Sequence, residues 1–439
     1  MEAGCIMAVA EAPKSTGSSA ESLQFFKELT AAYPPTDVAV RAWDGGELLP
    51  KGGGPIRATL VLNHPGALRQ MMWPFNKAAF GEAYIFGDVD VEGEMEPFLE
   101  YLIDMRAKCV PEDVMSRVAL FRKMLKLPNQ AMPRSARAAE LTGKERSQGR
   151  DQQAIRYHYD GPPSEFYALC LGKYMQYTCN YFAHPDEDID AAEERKLHHV
   201  CKKLYLKPGD RLIDFGCGWG GLITFAAKHY GVEAVGVSIS QEQIKWVKRL
   251  IEAEDLQDRC RIEFCDYRNV PEDRPFDKAV SVGFIEHLGL KMMPTFFGKV
   301  MKLLKPGGLY LHHGITMRPF GKFPPWRKFA QKYVFPDGEL VPINDTCTEL
   351  ARAGLEIRDV ESLREHYIYT LRRWRERLEA KHDEAVALTD EVMYRVYRAY
   401  FAGATIGFKR HTYNLNQTLT VKSGNAESGF PLSREAWYR

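Results

Sequence analysis

Four stretches of the chain carry side chains whose types and spacing could do chemistry. Asp214-Phe-Gly-Cys-Gly-Trp-Gly-Gly221 is a glycine-rich run opened by an acid. Glycine there permits a tight turn and lets backbone approach a ligand closely. Dinucleotide-binding folds and plain tight turns share such runs, so the motif alone leaves several ligands open. Gly236-Val-Ser-Ile-Ser-Gln-Glu-Gln243 lacks the acid that grips ribose hydroxyls in nicotinamide enzymes, which argues against a dehydrogenase. Ser238 and Gln243 supply neutral donors and acceptors instead. In Cys265-Asp266-Tyr267 a carboxylate beside an aromatic ring suits a purine: the acid accepts from the amine and the ring packs on the face. Glu286-His287 forms a plausible acid/base pair, whereas His313, inside an apolar run, reads more readily as a core histidine.

Stepping outward, alternating strand and helix patterns from about residue 200 predict an open, mainly parallel α/β sheet. Strands are expected at 211–215, 233–237, 276–282 and 308–312, with a last one at 418–421. Helices are expected at 222–229, 241–253, 295–304 and around 372–405. The glycine run thus falls where the first of these strands turns into a helix, and Asp266 follows a short strand-like piece. Upstream, residues 1–20 read as disordered and 21–126 as a smaller mixed α/β or helical domain, with a strand at 58–62 and a helix at 95–105. Residues 127–153 are polar and basic (Arg134, Arg137, Lys144, Arg146, Arg150) and read as a solvated linker, with a headgroup-binding patch as the alternative. The main domain is expected over 154–439.

Lys+Arg 59 against Asp+Glu 58 leaves no overall field that would draw the chain to nucleic acid. The nine cysteines include no CxxC pair, which fits reduced, buried thiols in a cytoplasmic protein and no metal site. No signal peptide or membrane-spanning stretch is expected, so any contact with a bilayer should be peripheral.

The glycine loop, placed after Lys207-Pro-Gly209 and opened by Asp214, looks like that of class I methyltransferases with their Rossmann-like sheet, in which Asp214 would lie near the methionine amino group of S-adenosylmethionine. More specifically, the chain beyond residue 35 resembles the cyclopropane fatty acid synthase and mycolic acid cyclopropane synthase family. The shared blocks are His158-Tyr-Asp160, Gln176-Tyr-Thr-Cys-Asn-Tyr181, the loop 214–221, Val237 to Gln243, Ser281 to Gly289, Leu311-His-His-Gly-Ile315, Phe335-Pro-Asp-Gly338 and His366-Tyr367. The front region, through Gly81-Glu-Ala-Tyr-Ile-Phe-Gly87, is similar to the family's N-terminal domain, for which lipid access or dimerisation is the expected role.

The resemblance implies methyl transfer from S-adenosyl-L-methionine to the cis double bond of an unsaturated phospholipid acyl chain at a peripheral membrane surface. The resulting carbocation would lose a proton to bound bicarbonate and close a cyclopropane; the alternative ending is a methylene- or methyl-branched chain. It also implies a bicarbonate shell of Cys179, Glu286, His313, Ile315 and Tyr367, with Cys179 and Ile315 acting through their backbones. The cofactor set would be Tyr159, Tyr177, Thr178, Asp214, Gly216, Gly218, Ser238, Ile239, Gln243, Asp266 and Tyr267. Tyr159, Tyr177, Tyr181, Phe182, Phe284 and Tyr367 are candidates for an aromatic lining that would soften the cation and exclude water. Two departures stand out: Gly161-Pro162-Pro163 replaces the family's usual segment, with one residue inserted, and Phe401 stands where some members carry cysteine.

Overall fold

Leu212, Ile213 and Phe215 are completely buried, as a parallel strand covered on both faces requires, and the polar exception between them is Asp214. The computed structural model describes residues 18–73, 78–111, 113–134, 138–319, 327–423 and 430–438. The expectation of disorder over 1–20 falls mostly outside these residues. Where it reaches described chain it is corrected, because a helix begins at Ala20 and buries Phe25, Phe26 and Leu29. The chain forms two compact units, Met1–Arg137 with Pro325–Phe329, and Ala138–Pro324 with Ala330–Arg439.

In the first unit β1 (Val38–Ala42) pairs antiparallel with β2 (Glu47–Leu48) and parallel with β3 (Ala58–Leu62). β3 pairs antiparallel with β4 (Val89–Gly93). Ala58, Leu60 and Leu62 of β3 point inward on alternate residues, and helices Ala67–Met72, Ala79–Ile85 and Met95–Cys109 supply buried partners such as Leu68, Ile85 and Phe98. A buried His64–Asp88 pair at 3.0 Å, with Arg134 on the other Asp88 oxygen at 2.7 Å, closes this unit's polar interior.

The second unit carries β5 (Arg211–Phe215), β6 (Glu233–Ser238), β7 (Cys260–Phe264), β8 (Phe276–Val282), β9 (Leu304–Met317), β10 (Val341–Pro342), β11 (Leu355–Ser362) and β12 (Tyr413–Lys422). Its main order is β11-β12-β9-β8-β5-β6-β7, with β10 added on β9. β5 to β9 run parallel and β12 is antiparallel to both neighbours. The strand order reverses between β5 and β8, the switch point at whose carboxyl end open α/β sheets bind ligands. The fold is therefore the Rossmann-like α/β sheet of the methyltransferases, with a smaller mixed α/β unit ahead of it.

β9 is longer than the pattern suggests. Lys305-Pro306-Gly307 does not end an element but bulges inside it, between the pairs Phe276–Leu304 and Lys278–Leu309. β11 (Leu-Glu-Ile-Arg-Asp-Val-Glu-Ser) was not anticipated, because its charges, suited to an edge strand, hide the apolar alternation.

The basic segment needs correction too. Ser147 caps a helix over Gln148–Tyr159, which removes residues 148–153 from any linker. Arg146 pairs with Glu339 at 3.1 Å, Arg150 with Asp337 at 2.6 Å, and Arg134 with Asp88. Arg137 lies outside the described residues. Three of the five named cations are thus committed inside their own units, which leaves little charge there for headgroups.

Candidate functional site

At the carboxyl ends of β5 and β6 the chain encloses a cavity, and the glycine loop forms its floor. Gly216 adopts φ +73°, and a Cβ there would meet the Phe284 ring at 2.6 Å. Gly218 adopts φ +57° and faces open space, so a ligand can lie directly against its backbone. Trp219 is anchored by its Nε1, which donates to Ser164 Oγ at 2.9 Å. Ser164 opens the helix Ser164–Cys170, capped by Pro163 in extended conformation; the altered Gly-Pro-Pro segment therefore leads straight to the partner of the glycine loop.

The cavity is lined by every residue of the expected cofactor set: Tyr159, Tyr177, Thr178, Asp214, Gly216, Gly218, Ser238, Ile239, Gln243, Asp266 and Tyr267. Most of its polar groups are already fixed by neighbours. Ser238 Oγ donates to Gln243 Oε1 at 2.8 Å, which leaves the Gln243 amide nitrogen as the donor for a ligand. Asp266 is forked by Arg268, Nε to Oδ1 at 2.7 Å and Nη2 to Oδ2 at 2.6 Å, and Arg268 also reaches Asp151 at 2.8 Å. Thr178 Oγ1 accepts from Lys196 Nζ at 3.0 Å, and the same ammonium holds the Gln176 side chain.

The Tyr177 and Tyr267 hydroxyls are buried without a partner, and Asp214 is a charged case of the same kind. Its Oδ1 is buried with no partner, and burial pushes the carboxyl up to about 7 against the pull of Lys196. Lys196, itself completely buried, is pushed down to about 8 by burial, with Glu193 and Asp214 opposing. An unpartnered buried carboxylate at the mouth of a glycine loop fits a ligand that brings its own ammonium. The donor set and the open space over Gly218 fit S-adenosylmethionine.

The second group of expected residues lies behind the cavity wall. Tyr177 and Thr178 line the cavity and Cys179 follows them; Phe284 and His287 line it and Glu286 sits between them. Glu286 Oε1 accepts from the Ile315 N–H at 2.6 Å, while its Oε2 is shut off from solvent without a partner. Burial pushes Glu286 up to about 7, with that N–H pulling the other way. The Ile315 N–H thus orients the carboxylate. His313 Nδ1 accepts from Gln417 Nε2 at 3.2 Å, which makes Nε2–H the donor, and this Nε2 is buried without a partner. Burial holds the ring well below the usual histidine range, so the unpartnered donor belongs to a neutral imidazole. It is not the satisfied core histidine that an apolar run suggests.

Tyr367 is buried on the helix Arg364–Ala380, where its phenol is raised first by burial and then by Tyr400, Cys179, Glu286 and Tyr159 around it. One turn on, Thr370 Oγ1 accepts from Asn180 N–H at 3.0 Å and fixes the Cys179 segment. The Cys179 thiol is raised by burial and stays protonated, so it offers no nucleophile.

Between the two groups stands a box of rings. His158 lies 4.0 Å from Phe335 and 5.6 Å from Tyr177, and Tyr167 lies 4.7 Å from Trp219. Tyr159 shares a hydrogen bond of 3.2 Å with His287 Nε2, and burial pushes that imidazole down to about 4, with Arg146 adding to the effect. Of the expected aromatic lining, Tyr159, Tyr177 and Phe284 face the cavity. Tyr181 and Phe182 do not; Tyr181 stacks on His366 at 4.6 Å and Phe182 packs near Tyr369.

Sequence reading missed Lys196, Arg268 and Asp151. For Lys196 the signal was present: Glu193 and Lys196 interrupt the buried stripe of Ile189, Ala192, Leu197 and Val200 on one helix. A charged pair on a buried face must be partnered, and its partners are the residues that line the cavity.

With the site in hand, comparison with known proteins is informative. A probable fatty acid methyltransferase of Pseudomonas putida is 35% identical over 404 residues, covering 91% of this chain and 96% of its own. The cyclopropane-fatty-acyl-phospholipid synthase of Escherichia coli strain K12 is 34% identical over 278 residues, 63% of this chain and 69% of its own. The crystal structure of the mycolic acid cyclopropane synthase CmaA1 complexed with SAH and CTAB superposes with a TM-score of 0.59 at 30% identity, covering 62% of this chain and 98% of that one. The model of the family described as mycolic acid cyclopropane synthetase matches residues 146–418, a span that holds both groups of site residues. The chain therefore belongs to the mycolic acid cyclopropane synthetase family, whose members are S-adenosylmethionine-dependent methyltransferases.

Proposed function

We propose that this protein methylates the cis double bond of unsaturated acyl chains of phospholipids and closes the product to a cyclopropane. The observation that carries this reading is the pair of unpartnered buried atoms, Glu286 Oε2 and His313 Nε2, behind an aromatic wall of the cofactor cavity. S-adenosylmethionine supplies an electrophilic methyl group when bound. Asp214 would accept from its ammonium, the Gln243 amide nitrogen would donate to its ribose, Asp266 would accept from the adenine amine, and the Tyr267 ring would pack on the adenine face.

An alkene is a poor nucleophile, and its attack leaves positive charge on the acyl chain. Tyr159, Tyr177 and Trp219 present rings that tolerate this charge and keep water away from it. The cysteine is held as a thiol, so no thiolate waits to trap the cation. A proton must then leave the new methyl group. Glu286, His313 and Tyr367, with the Cys179 backbone, would hold bicarbonate, which supplies a proton acceptor; Ile315 aims Glu286. His313 Nε2–H and, when protonated, Glu286 are donors that lack an acceptor, which fits a small oxyanion.

A second reading shares every step but the last. If the cation migrates before deprotonation, the product is a methylene-branched chain, and reduction would give a methyl branch. The relative that covers 91% of this chain is named a fatty acid methyltransferase and not a ring-forming synthase, which favours this ending. Proton NMR of lipids incubated with enzyme and cofactor separates the cases. High-field ring signals support the cyclopropane, exocyclic olefinic or branch-methyl signals support the branch, and the absence of all three removes both readings.

A further inference from the structure

A helix in a folded unit normally turns its apolar stripe inward. The helix Val114–Met124 does the reverse: Met124 alone is buried along its length. Val114 is 73% exposed, Met115 81%, Val118 41%, and Leu125 at the C-cap 43%. Val114, Val118 and Leu125 recur at helical spacing and form one outward stripe, with Met115 beside it. Arg117 lies on one flank of the stripe and Arg122 on the other, with Lys123 and Lys126 further round. Asp113 is committed to the cap, where it accepts from Ser116 N–H at 2.8 Å. Lys123 meets Glu28 in an exposed pair, whereas Arg122 and Lys126 take no ion pair among the described residues.

We propose that this helix docks the protein on an anionic lipid surface, with the apolar stripe in the headgroup boundary and the flanking cations on lipid phosphates. The proposal rests on the reading of the site as one that takes phospholipid acyl chains. A chain with net charge +1 overall places four cations, Arg117, Arg122, Lys123 and Lys126, against two acids, Glu112 and Asp113, over residues 112–126. Long basic side chains beside an exposed apolar stripe can lay their stems along it and keep their charges at the phosphates. A second copy is a poorer occupant. A two-fold contact would set these cations against their own images. A stable dimer also buries about 800 Å² per partner, more than one helical stripe of about 17 Å presents.

The test uses the full chain and sedimentation with vesicles of phosphatidylcholine, with and without phosphatidylglycerol. Wild type should bind the anionic vesicles and release from them in high salt. Arg122→Glu with Lys126→Glu, and separately Val114→Ser with Met115→Ser and Val118→Ser, should each weaken that binding about tenfold or more. Both variants should keep the melting temperature, the stabilisation by adenosylhomocysteine, and methyl transfer to acyl chains dispersed in detergent. Binding by both variants equal to wild type overturns the proposal, and so does a change in oligomeric state by light scattering, which would assign the helix to a second copy. Sedimentation needs no turnover. A wild type that docks but never methylates a lipid would therefore sink the proposed reaction and not the surface.

Discussion

The two halves of the site differ in how their polar atoms are settled. On the cofactor side Ser238 is bonded to Gln243, Asp266 to Arg268 and Thr178 to Lys196, so the groups are held in place before any ligand arrives. Behind the wall, Glu286 Oε2 and His313 Nε2 are buried with nothing to bond. A buried orphan costs about 1–3 kcal/mol, and a fold retains two of them most readily where a guest completes them. Under the proposed reading the built half binds and the incomplete half reacts. Asp214 and the Tyr177 and Tyr267 hydroxyls are unpartnered although they lie in the first half, and the free oxygen of Asp214 suits a ligand's positive charge.

The contrast is broken most sharply from the reactive half. Glu286→Gln should cut turnover by about a hundredfold or more, while adenosylhomocysteine raises the melting temperature as in wild type. His313→Ala should do the same, since it removes the unpartnered donor and leaves the cofactor contacts alone. Near-normal turnover in both variants would show that the orphans are not the reacting groups.

In the built half, stability should suffer first. Lys196→Met removes a buried cation that holds Gln176 and Thr178 and faces Glu193 and Asp214. Loss of one partner from such a cluster costs about 3 kcal/mol or more, read as a lower denaturant midpoint. An unchanged midpoint would mean that the cofactor wall does not depend on that ammonium.

Asp214 gives a titration that crosses the two halves. Its folded value, raised by burial to about 7, lies above its unfolded value, so the stability it contributes is complete at acid pH and is lost as pH rises towards 7. Glu286, raised to about 7 as well, adds to the same slope in the unliganded protein. A ligand ammonium prefers the ionised carboxylate, so adenosylhomocysteine should bind more tightly from pH 6 to pH 8, by up to about tenfold per unit below the midpoint. Asp214→Asn should flatten the part of that slope that belongs to this group. A slope equal to wild type would assign the titration elsewhere.

The smallest effect is expected from Arg268→Ala. Asp266 keeps its place as a cap for the turn at Tyr267–Asn269 but loses the fork that fixes its plane. Cofactor affinity should weaken only several-fold, about 1 kcal/mol. No change in affinity would remove Asp266 from the adenine site.

Much of this arrangement was legible in the residues. Strands at 211–215 and 276–282 and the helix at 241–253 appear with those bounds, because their apolar spacing matches one period and their ends carry glycine or serine signals. The sheet's charged edge strand β11 was not legible, since its period is masked by Glu356, Arg358, Asp359 and Glu361. The basic stretch misled because charge alone does not reveal partners that lie far along the chain, such as Asp337 for Arg150 and Glu339 for Arg146. That the residues of the expected cofactor set would gather around one cavity could be read from motifs. Whether His313 was satisfied could not, because the answer depends on Gln417 across a strand pair.

The reactive half can be probed with the wild-type protein and one ion. Methyl transfer to an unsaturated phospholipid is measured in buffer stripped of carbon dioxide, and again after hydrogencarbonate is returned. A site whose Glu286 and His313 await an oxyanion should slow when stripped and recover on addition, with adenosylhomocysteine binding unchanged throughout. A rate indifferent to hydrogencarbonate would contradict the assignment of those two residues.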